Sequence, residues 1–284
     1  MNDFAFSKKM GQPGIKIYKK DDWDYIRVNN LGHYTDGNPD LEKVIQSAIE
    51  TCLKEIPRPT EELFDEILES TQAVFLKHPD YPNRIIGVSA INVFEYTNTT
   101  KHGYILQMLI TTIDPDVHGK GAFPFFPIIH TAEYVNSKWI GSHYSCRTYT
   151  PRVYGTMYRR LSVHPDLKKQ KDNNNLQDLM TSFVDWFYEI ADDRFEPETQ
   201  IFRGVYETRE NSEFGSDSMP VRPDREPKFN KWFEENIDYA RGDGLLVFSD
   251  IGLKEIFFTY FAKISALVRR RNTDESLVEL LASD

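Results

Sequence analysis

The spacing of apolar residues at the start of the chain predicts one strand followed by two helices. Residues 15–28 alternate apolar and polar positions irregularly, which is typical of a half-buried strand. Between residues 38 and 56 apolar side chains instead recur every three or four positions, the period of one face of an α-helix. Pro39 suits the first position of that helix, and Thr60 begins a second helix whose acidic first turn complements the helix dipole.

Three apolar runs in the middle of the chain predict neighbouring strands. They cover residues 73–76, 85–96 and 103–113, and the segments between them are short and rich in turn-forming residues. Strands connected in this way typically pair as an antiparallel meander. The pattern then indicates a helix at about 124–136 and a strand within residues 139–149.

Longer polar segments separate the elements of the second half. Thr150 and Pro151 are typical of the N-cap and first position of a helix, and residues 176–193 have a clear helical period. Residues 209–228 are rich in charge, proline and serine, which predicts a long loop. Further strands are predicted at 200–207 and 244–250, and further helices at 229–240 and 254–271.

Together these elements predict a mixed α+β protein in which helices flank a mainly antiparallel central sheet. No internal repeat and no sharp linker interrupt the sequence. We therefore expect a single domain over residues 1–284, with a core at about 73–162 and a C-terminal part at about 163–284 that carries insertions.

Composition and charge narrow the classes of function. The formal net charge is −10, and an acidic surface repels phosphate backbones, so we expect no nucleic-acid partner. The sequence has no run of 18 apolar residues and no apolar secretory segment at its start, which predicts a cytoplasmic protein without a membrane span. Cys52 and Cys146 form no disulfide framework, and the histidines have no metal-ligand spacing.

One segment carries candidate binding chemistry. Residues 110–126 read ITTIDPDVHGKGAFPFF, so a strand ends at Asp-Pro, a Gly-Lys-Gly turn follows, and a helix begins among aromatic residues. Gly119 and Gly121 lack Cβ atoms and tolerate positive φ, so backbone N–H groups can converge on an anion there. The alternative is a tight strand-to-helix connection that holds no ligand.

This segment and the elements around it resemble the GNAT (GCN5-related N-acetyltransferase) family. Strands, a Gly-Lys-Gly turn, a helix, a strand and a helix with a tyrosine follow one another over residues 73–162, as in that family. Residues 113–123 occupy the places of its phosphate-binding motif, and residues 157–161, Met-Tyr-Arg-Arg-Leu, are similar to its later tyrosine motif. The resemblance implies a GNAT-like acyl-CoA N-acyltransferase fold.

The resemblance also implies that acetyl-CoA or another acyl-CoA binds as co-substrate. In the family the turn holds the pyrophosphate, and the strand before it pairs with the pantetheine arm. The corresponding residues are Thr111, Thr112, Ile113, His118, Gly119, Lys120, Gly121, Ala122 and Phe123. His118 stands where the family has Arg or Gln, Phe123 where it has a small residue, and Pro124 removes an N–H. Either the donor is held differently, as a longer acyl thioester would be, or the site is degenerate.

The implied reaction is attack of an amine on a thioester, which needs a general base and a general acid. Tyr158 corresponds to the family's acid, and Tyr154 one turn earlier is the fallback. The strand before the turn has no carboxylate, so Glu95 and His143 are the candidate bases. Cys146 would need His143 to act as a nucleophile, but alternation along a strand places these two on opposite faces.

The sequence leaves two functions open. One is an N-acyltransferase that moves an acetyl or longer acyl group from an acyl-CoA or carrier-protein thioester to an amine of a small molecule. The other is a catalytically degenerate GNAT-fold protein that binds or interacts without acyl transfer. The aromatic helix at 254–271 ends in three arginines, and it either attaches to a membrane surface or packs on the sheet or across a homodimer.

Overall fold

A computed structural model shows how these segments fold, and it describes residues 4–35, 39–54, 56, 59–82, 84–123, 125–131, 142–159, 161–168, 174–188, 194–206 and 221–251. The strands in this part of the chain are β1 (Ala5–Lys8), β2 (Gly14–Lys20), β3 (Trp23–Asn29), β4 (Gln72–Lys77), β5 (Gly87–Thr97), β6 (His102–Ile113), β7 (Ser142–Thr148), β8 (Ser162–His164), β9 (Phe195–Glu196), β10 (Ile201–Phe202) and β11 (Gly244–Asp250). The helices are α1 (Gly32–Thr35), α2 (Pro39–Leu53), α3 (Thr60–Leu68), α4 (Phe125–Thr131), α5 (Pro151–Tyr158), α6 (Asn174–Phe187) and α7 (Pro227–Asn236), with a 3₁₀ turn at Pro115–Val117.

The architecture is mixed α+β, with helices flanking a mainly antiparallel open sheet, and this much of the predicted fold class is confirmed. Tertiary contacts divide the chain into two compact units. The described residues of Lys8–Val93 and Met108–Trp139 belong to unit A, and those of Met1–Ser7, Phe94–Gln107 and Ile140–Glu255 to unit B. Strands β5 and β6 contribute residues to both units, and the single domain stays a prediction.

In unit A the strand order is β2-β3-β4-β5-β6. The ladders from β2 to β5 are antiparallel, and Lys20 opposite Trp23 closes the first hairpin. This hairpin replaces the single strand predicted at 15–28. Its turn places Asp21 at φ 54° and restarts the apolar alternation, which is why the sequence pattern looks like one irregular strand.

Helices cover both faces of the unit A sheet. Apolar residues of α2 and α3 pack on one face together with Phe75 and Ile110. Helix α4 packs on the other face with Val74 and Ile113. Burying one such side chain contributes about 1.5–3 kcal/mol. Because β6 contributes residues to the apolar clusters on both faces of the sheet, packing on both faces holds its end in place. The same packing positions the start of the turn that follows.

In unit B the strand order is β5-β6-β7-β11-β10-β9, and β8 pairs with β11. The β6–β7 ladder is parallel and begins with Tyr104 opposite Ser142, whereas the β7–β11 ladder is antiparallel and ends with His143 opposite Asp250. A parallel pair requires a crossover connection. Here the Gly-Lys-Gly turn and α4 lie on the chain between the two strands.

Aromatic packing holds α6 to the unit B sheet. The Phe183 ring is fully buried and lies 5.4 Å from Phe94, 5.3 Å from Phe187 and 5.9 Å from Phe248, measured between ring centroids. Aromatic pairs at such distances add about 0.5–1.5 kcal/mol beyond the area they bury. The helical period predicted at 176–193 therefore reflects a buried aromatic face as far as Phe187, where α6 ends, and residues 189–193 lie outside the described residues.

Some predicted elements differ from the structure or lie outside the described residues. Thr150 is the N-cap of α5 as predicted, but its hydroxyl donates to the Arg222 carbonyl at 3.0 Å instead of capping. Of the predicted strand 200–207, the structure describes residues 200–206, and among these Ile201–Phe202 is strand because Gly204 turns the chain at φ 61°. The helix predicted at 254–271 is outside the described residues, and no helix within them is long and apolar enough to cross a membrane.

Candidate functional site

A buried aspartate anchors the turn after β6. The Asp114 side chain is fully buried among protein atoms and accepts a hydrogen bond from the Asp116 N–H at 3.0 Å, which begins the 3₁₀ turn. The same carboxylate accepts hydrogen bonds from the Lys54 ammonium at 2.7 Å and from the Arg84 guanidinium. A buried carboxylate needs such partners to remain charged. Asp114 thus fixes the point at which the strand ends.

The two glycines of the turn have left-handed backbones. Gly119 has φ 81° and Gly121 has φ 87°. A Cβ atom built on either would meet nothing within 4 Å, so the backbone conformation and not crowding requires glycine. This is the conformation for which the sequence pattern predicted them.

The turn presents several backbone donors. The Lys120 N–H closes a tight turn with the Val117 carbonyl at 3.3 Å. Neighbouring N–H groups around left-handed residues form a concave site for anions. The N–H groups that donate to no acceptor in the described part of the chain are those of Gly119, Gly121, Ala122 and Phe123. These four donors are the kind of backbone array that a phosphate group requires.

Side chains around the turn add positive charge and one internal bond. Lys120 Nζ and the Arg84 guanidinium lie 5.9 Å and 6.0 Å from the centroid of the Tyr81 ring. His118 Nε2 donates to the Ile113 carbonyl at 2.9 Å, so this imidazole engages a carbonyl that the resemblance assigns to the pantetheine arm. The Phe123 ring packs against the apolar cluster of α4.

The two threonines of the predicted donor site have different surroundings. Thr111 is half-buried, and its Oγ1 lies 2.7 Å from Ser89 Oγ. Thr112 is buried, and its Oγ1 has no hydrogen-bond partner among the residues that the structure describes. Successive residues of a strand point to opposite faces, so only one of the two hydroxyls lies on the α4 face. That hydroxyl belongs to Thr111, which shares its face with Ile113 of the α4 cluster.

His143, a predicted base, lies in unit B between an acid and a phenol. Its Nδ1 is 2.8 Å from Asp250 Oδ1, at ion-pair distance but outside hydrogen-bond geometry, and its Nε2 is 3.0 Å from the Tyr96 hydroxyl. Burial, followed by the Asp250 charge, raises the pKa of Tyr96 to about 12, so Tyr96 keeps its proton. When the ring proton is on Nδ1 beside the carboxylate, Nε2 accepts a hydrogen bond from the Tyr96 hydroxyl.

Glu95, the other predicted base, is paired on the hairpin between β5 and β6. Its Oε1 lies 2.6 Å from His102 Nε2, and both side chains are partly exposed. An exposed pair of this kind contributes about 0–1 kcal/mol to stability. Glu95 and His143 are therefore in different settings, since only His143 is part of a mostly buried polar group.

The predicted acid Tyr158 packs within an aromatic group of unit B. Its ring centroid lies 5.1 Å from that of Phe229 and 5.3 Å from the Lys168 ammonium. The fallback Tyr154 is fully buried, and its hydroxyl donates to the Pro165 carbonyl at 2.7 Å and accepts from the Leu167 N–H at 3.1 Å. Tyr154 thus has a structural role, whereas the role of Tyr158 stays a prediction.

Cys146 is not suited to nucleophilic chemistry. It is buried, and its Sγ donates to the Met157 sulfur at 3.2 Å. Burial raises the pKa of this thiol to about 12. Because the thiolate is the reactive form, the thiol is inert at neutral pH.

Two polar groups that the structure assembles were absent from the sequence prediction. His130 of α4 contacts Gln72 and Ser89, and Asp250 contacts His143. His130 follows an apolar run, and Asp250 ends a buried strand, so neither stands in a motif. Their partners are distant in sequence, and no local pattern indicates such pairs.

The predicted residues separate by unit. The nine donor-site residues lie in unit A, and the three catalytic candidates lie in unit B. Within the described residues, no group of three or more His, Cys, Asp or Glu side chains could hold a metal ion. Comparison of the chain with protein-family models and with curated proteins finds no match.

Proposed function

We propose that this protein is a GNAT-like N-acyltransferase that moves an acetyl or longer acyl group from an acyl-CoA to an amine of a small molecule. The observation that carries the proposal is the turn at residues 118–123. Its glycines have positive φ, and four of its N–H groups have no acceptor in the described part of the chain. A pyrophosphate is the ligand group that such a backbone array fits.

The place of the turn in the fold supports a ligand site. The turn follows the carboxyl end of β6, which is also the first strand of the parallel pair with β7. Loops at the carboxyl ends of parallel strands are the usual place for ligands in open sheets. Lys120 adds positive charge beside the Tyr81 ring, which suits an anionic donor, whereas the charge of Arg84 is paired with Asp114.

The chemistry requires no covalent enzyme intermediate. The amine nitrogen attacks the thioester carbonyl, an N–C bond forms, the C–S bond breaks, and the thiolate leaves as CoA. One proton must leave the attacking nitrogen and one must reach the sulfur. His143 and Glu95 are the candidates for the first step, and His143 must first release the Tyr96 hydroxyl from Nε2 to take the proton. Tyr158 is the candidate for the second step.

The Gly121→Ala substitution tests the turn. Alanine at φ 87° is strained by about 1–2 kcal/mol, so the turn should open and its N–H groups should no longer hold one anion together. We expect acetyl-CoA binding, measured by isothermal titration calorimetry, to weaken by about tenfold or more relative to the wild type.

Gly242→Ala is the matched control, because Gly242 also has positive φ, at 78°, but lies in unit B. It should cost similar stability and leave acetyl-CoA affinity unchanged. Equal losses in both variants would show that strain and not the turn governs binding. A wild-type protein that binds neither CoA nor acetyl-CoA would refute the proposed function.

One observation favours a second candidate, a GNAT-like binding protein without transferase activity. The His118 imidazole donates to the Ile113 carbonyl, and this bond closes part of the strand edge that would receive a donor. A free-thiol assay separates the two candidates. Release of CoA that depends on added amine identifies the transferase, and binding without release identifies the binding protein.

A further inference from the structure

A chain of five polar side chains crosses unit A beneath α4. Gln72 Nε2 donates to Asn29 Oδ1 at 3.0 Å, and Gln72 Oε1 lies 2.5 Å from His130 Nδ1. His130 Nε2 lies 2.9 Å from Ser89 Oγ, which in turn lies 2.7 Å from Thr111 Oγ1. All but Thr111 are buried, so these groups depend on one another for hydrogen bonds.

The direction of every bond in this chain follows from the first one. Because the Gln72 amide nitrogen donates to Asn29, its oxygen faces His130 and must accept. His130 therefore carries its proton on Nδ1, and its Nε2 accepts a hydrogen bond from the Ser89 hydroxyl. With that proton committed, Ser89 Oγ accepts from the Thr111 hydroxyl.

His130 does not act as a base through this chain. Burial, followed by the charge of Arg27, lowers the pKa of His130 to about 3. Its ring is therefore neutral at pH 7. The neutral ring instead orients the hydroxyl of Ser89, and through it the hydroxyl of Thr111 on β6.

This series of hydrogen-bonded side chains ends at the Thr111 hydroxyl, which can only accept a further hydrogen bond. The proton of Thr111 has two acceptors within reach, Ser89 Oγ at 2.7 Å and the Ile110 carbonyl at 2.8 Å, and it is committed to one of them. The lone pairs of Thr111 Oγ1 receive no hydrogen bond from the described residues, and the Thr111 residue is only half-buried. An isolated hydroxyl can rotate to donate or to accept a hydrogen bond. The Thr111 hydroxyl can only accept one, so a ligand group that contacts it must be a hydrogen-bond donor.

We propose that Thr111 is a specificity-determining residue that accepts an N–H hydrogen bond from the bound donor substrate. This proposal rests on the proposed function. Thr111 lies on β6, seven residues before His118, and the resemblance to the GNAT family implies that this strand would carry the pantetheine arm. That arm contains two secondary amides, whose N–H groups are the donors that the fixed hydroxyl can take.

The Thr111→Val and Thr111→Ser variants test the hydroxyl. Valine keeps the shape and removes the oxygen, so we expect CoA affinity to fall by about five- to tenfold, as for loss of one hydrogen bond. Serine retains the oxygen and should bind CoA within about twofold of the wild type. Both affinities are measured by titration calorimetry on the full chain.

The Ser89→Ala variant tests the orientation. It leaves the Thr111 hydroxyl in place but removes one of the two acceptors of its proton, so only the Ile110 carbonyl still orients the hydroxyl and CoA affinity should fall between the wild-type and Thr111→Val values. This variant also keeps the proposal testable if Thr111→Val folds poorly.

Adenosine 3′,5′-bisphosphate, which lacks the pantetheine arm, is the discriminating probe. Thr111→Val should bind it as tightly as the wild type does. An unchanged CoA affinity in Thr111→Val would overturn the inference and leave the proposed function intact. Equal weakening of both ligands would overturn it too, because it would indicate a structural effect. A wild-type chain that binds no CoA would refute the proposed function, and the inference with it.

Discussion

At the scale of single residues, the sequence predicted what depends on the local backbone. Gly119 and Gly121 were identified because a left-handed turn at the end of a strand favours glycine, and both have positive φ. The surroundings of His130 and His143 were not predictable, since Gln72, Ser89, Tyr96 and Asp250 reach them from other strands. Tertiary pairing of polar groups leaves no periodic signal in one sequence.

The buried imidazole of His130 should make unit A sensitive to acid. Burial, followed by the charge of Arg27, lowers the folded-state pKa of His130 from 6.5 to about 3. A group whose folded pKa is depressed binds more protons when unfolded, so its contribution to stability is complete above pH 6.5 and is lost as pH falls towards 3. We expect this group to remove about 1 kcal/mol of unfolding free energy per pH unit in that window.

The His130→Gln variant tests this contribution by urea unfolding at several pH values. It should be less stable than the wild type at pH 7 but should lose less stability between pH 6 and pH 4. Substitution of the exposed His33 by Gln removes an imidazole but leaves the buried hydrogen bonds of His130 unchanged. It should keep the wild-type dependence of unfolding free energy on pH. The same slope in His130→Gln and the wild type would show that His130 is not the group responsible.

At the scale of elements, the type of element was predicted better than its partners. The helical periods gave α2, α3 and α6, and the apolar runs gave β4, β5 and β6. The hairpin of β2 and β3 was missed because two aspartates turn a chain that has no glycine or proline there. The parallel pairing of β6 with β7 was not foreseen either, because pairing direction depends on the path of the intervening chain.

Helix α5 carries a glycine that packing requires. A Cβ on Gly155 would lie 2.3 Å from Asp224 Oδ2, and Arg159 holds that carboxylate with hydrogen bonds of 2.8 and 2.9 Å. Alanine in place of glycine inside a helix normally stabilises it by about 0.5–1 kcal/mol. Here the clash should reverse the sign, so we expect Gly155→Ala to lose about 1–3 kcal/mol of stability.

Chemical denaturation of Gly155→Ala measures this loss. Gly14→Ala is the control, because a Cβ on Gly14 has its nearest neighbour at 3.8 Å, an ordinary contact. That control should stay close to the wild type. Stabilisation of Gly155→Ala would mean that Asp224 moves aside at little cost and does not tie its segment to α5.

At the scale of the whole molecule, the two units share strands. Strands β5 and β6 each have residues in unit A and in unit B. Unfolding one unit therefore disrupts strands that also belong to the other unit. A unit that loses one of its strands exposes the apolar face that the strand covered. We therefore expect one cooperative unfolding transition, in agreement with the single domain that the sequence predicts.

Single-tryptophan variants can report on each unit separately. Trp23 lies in unit A and Trp232 in unit B, so proteins that retain only one of them give a probe for each unit. The two fluorescence transitions should coincide in urea. If the turn binds CoA, a concentration of 100 times Kd should raise the stability seen by both probes by about 2.7 kcal/mol, because binding to the native state shifts the whole equilibrium. A shift seen by Trp23 alone would show that unit A unfolds independently and that the shared strands do not couple the two units.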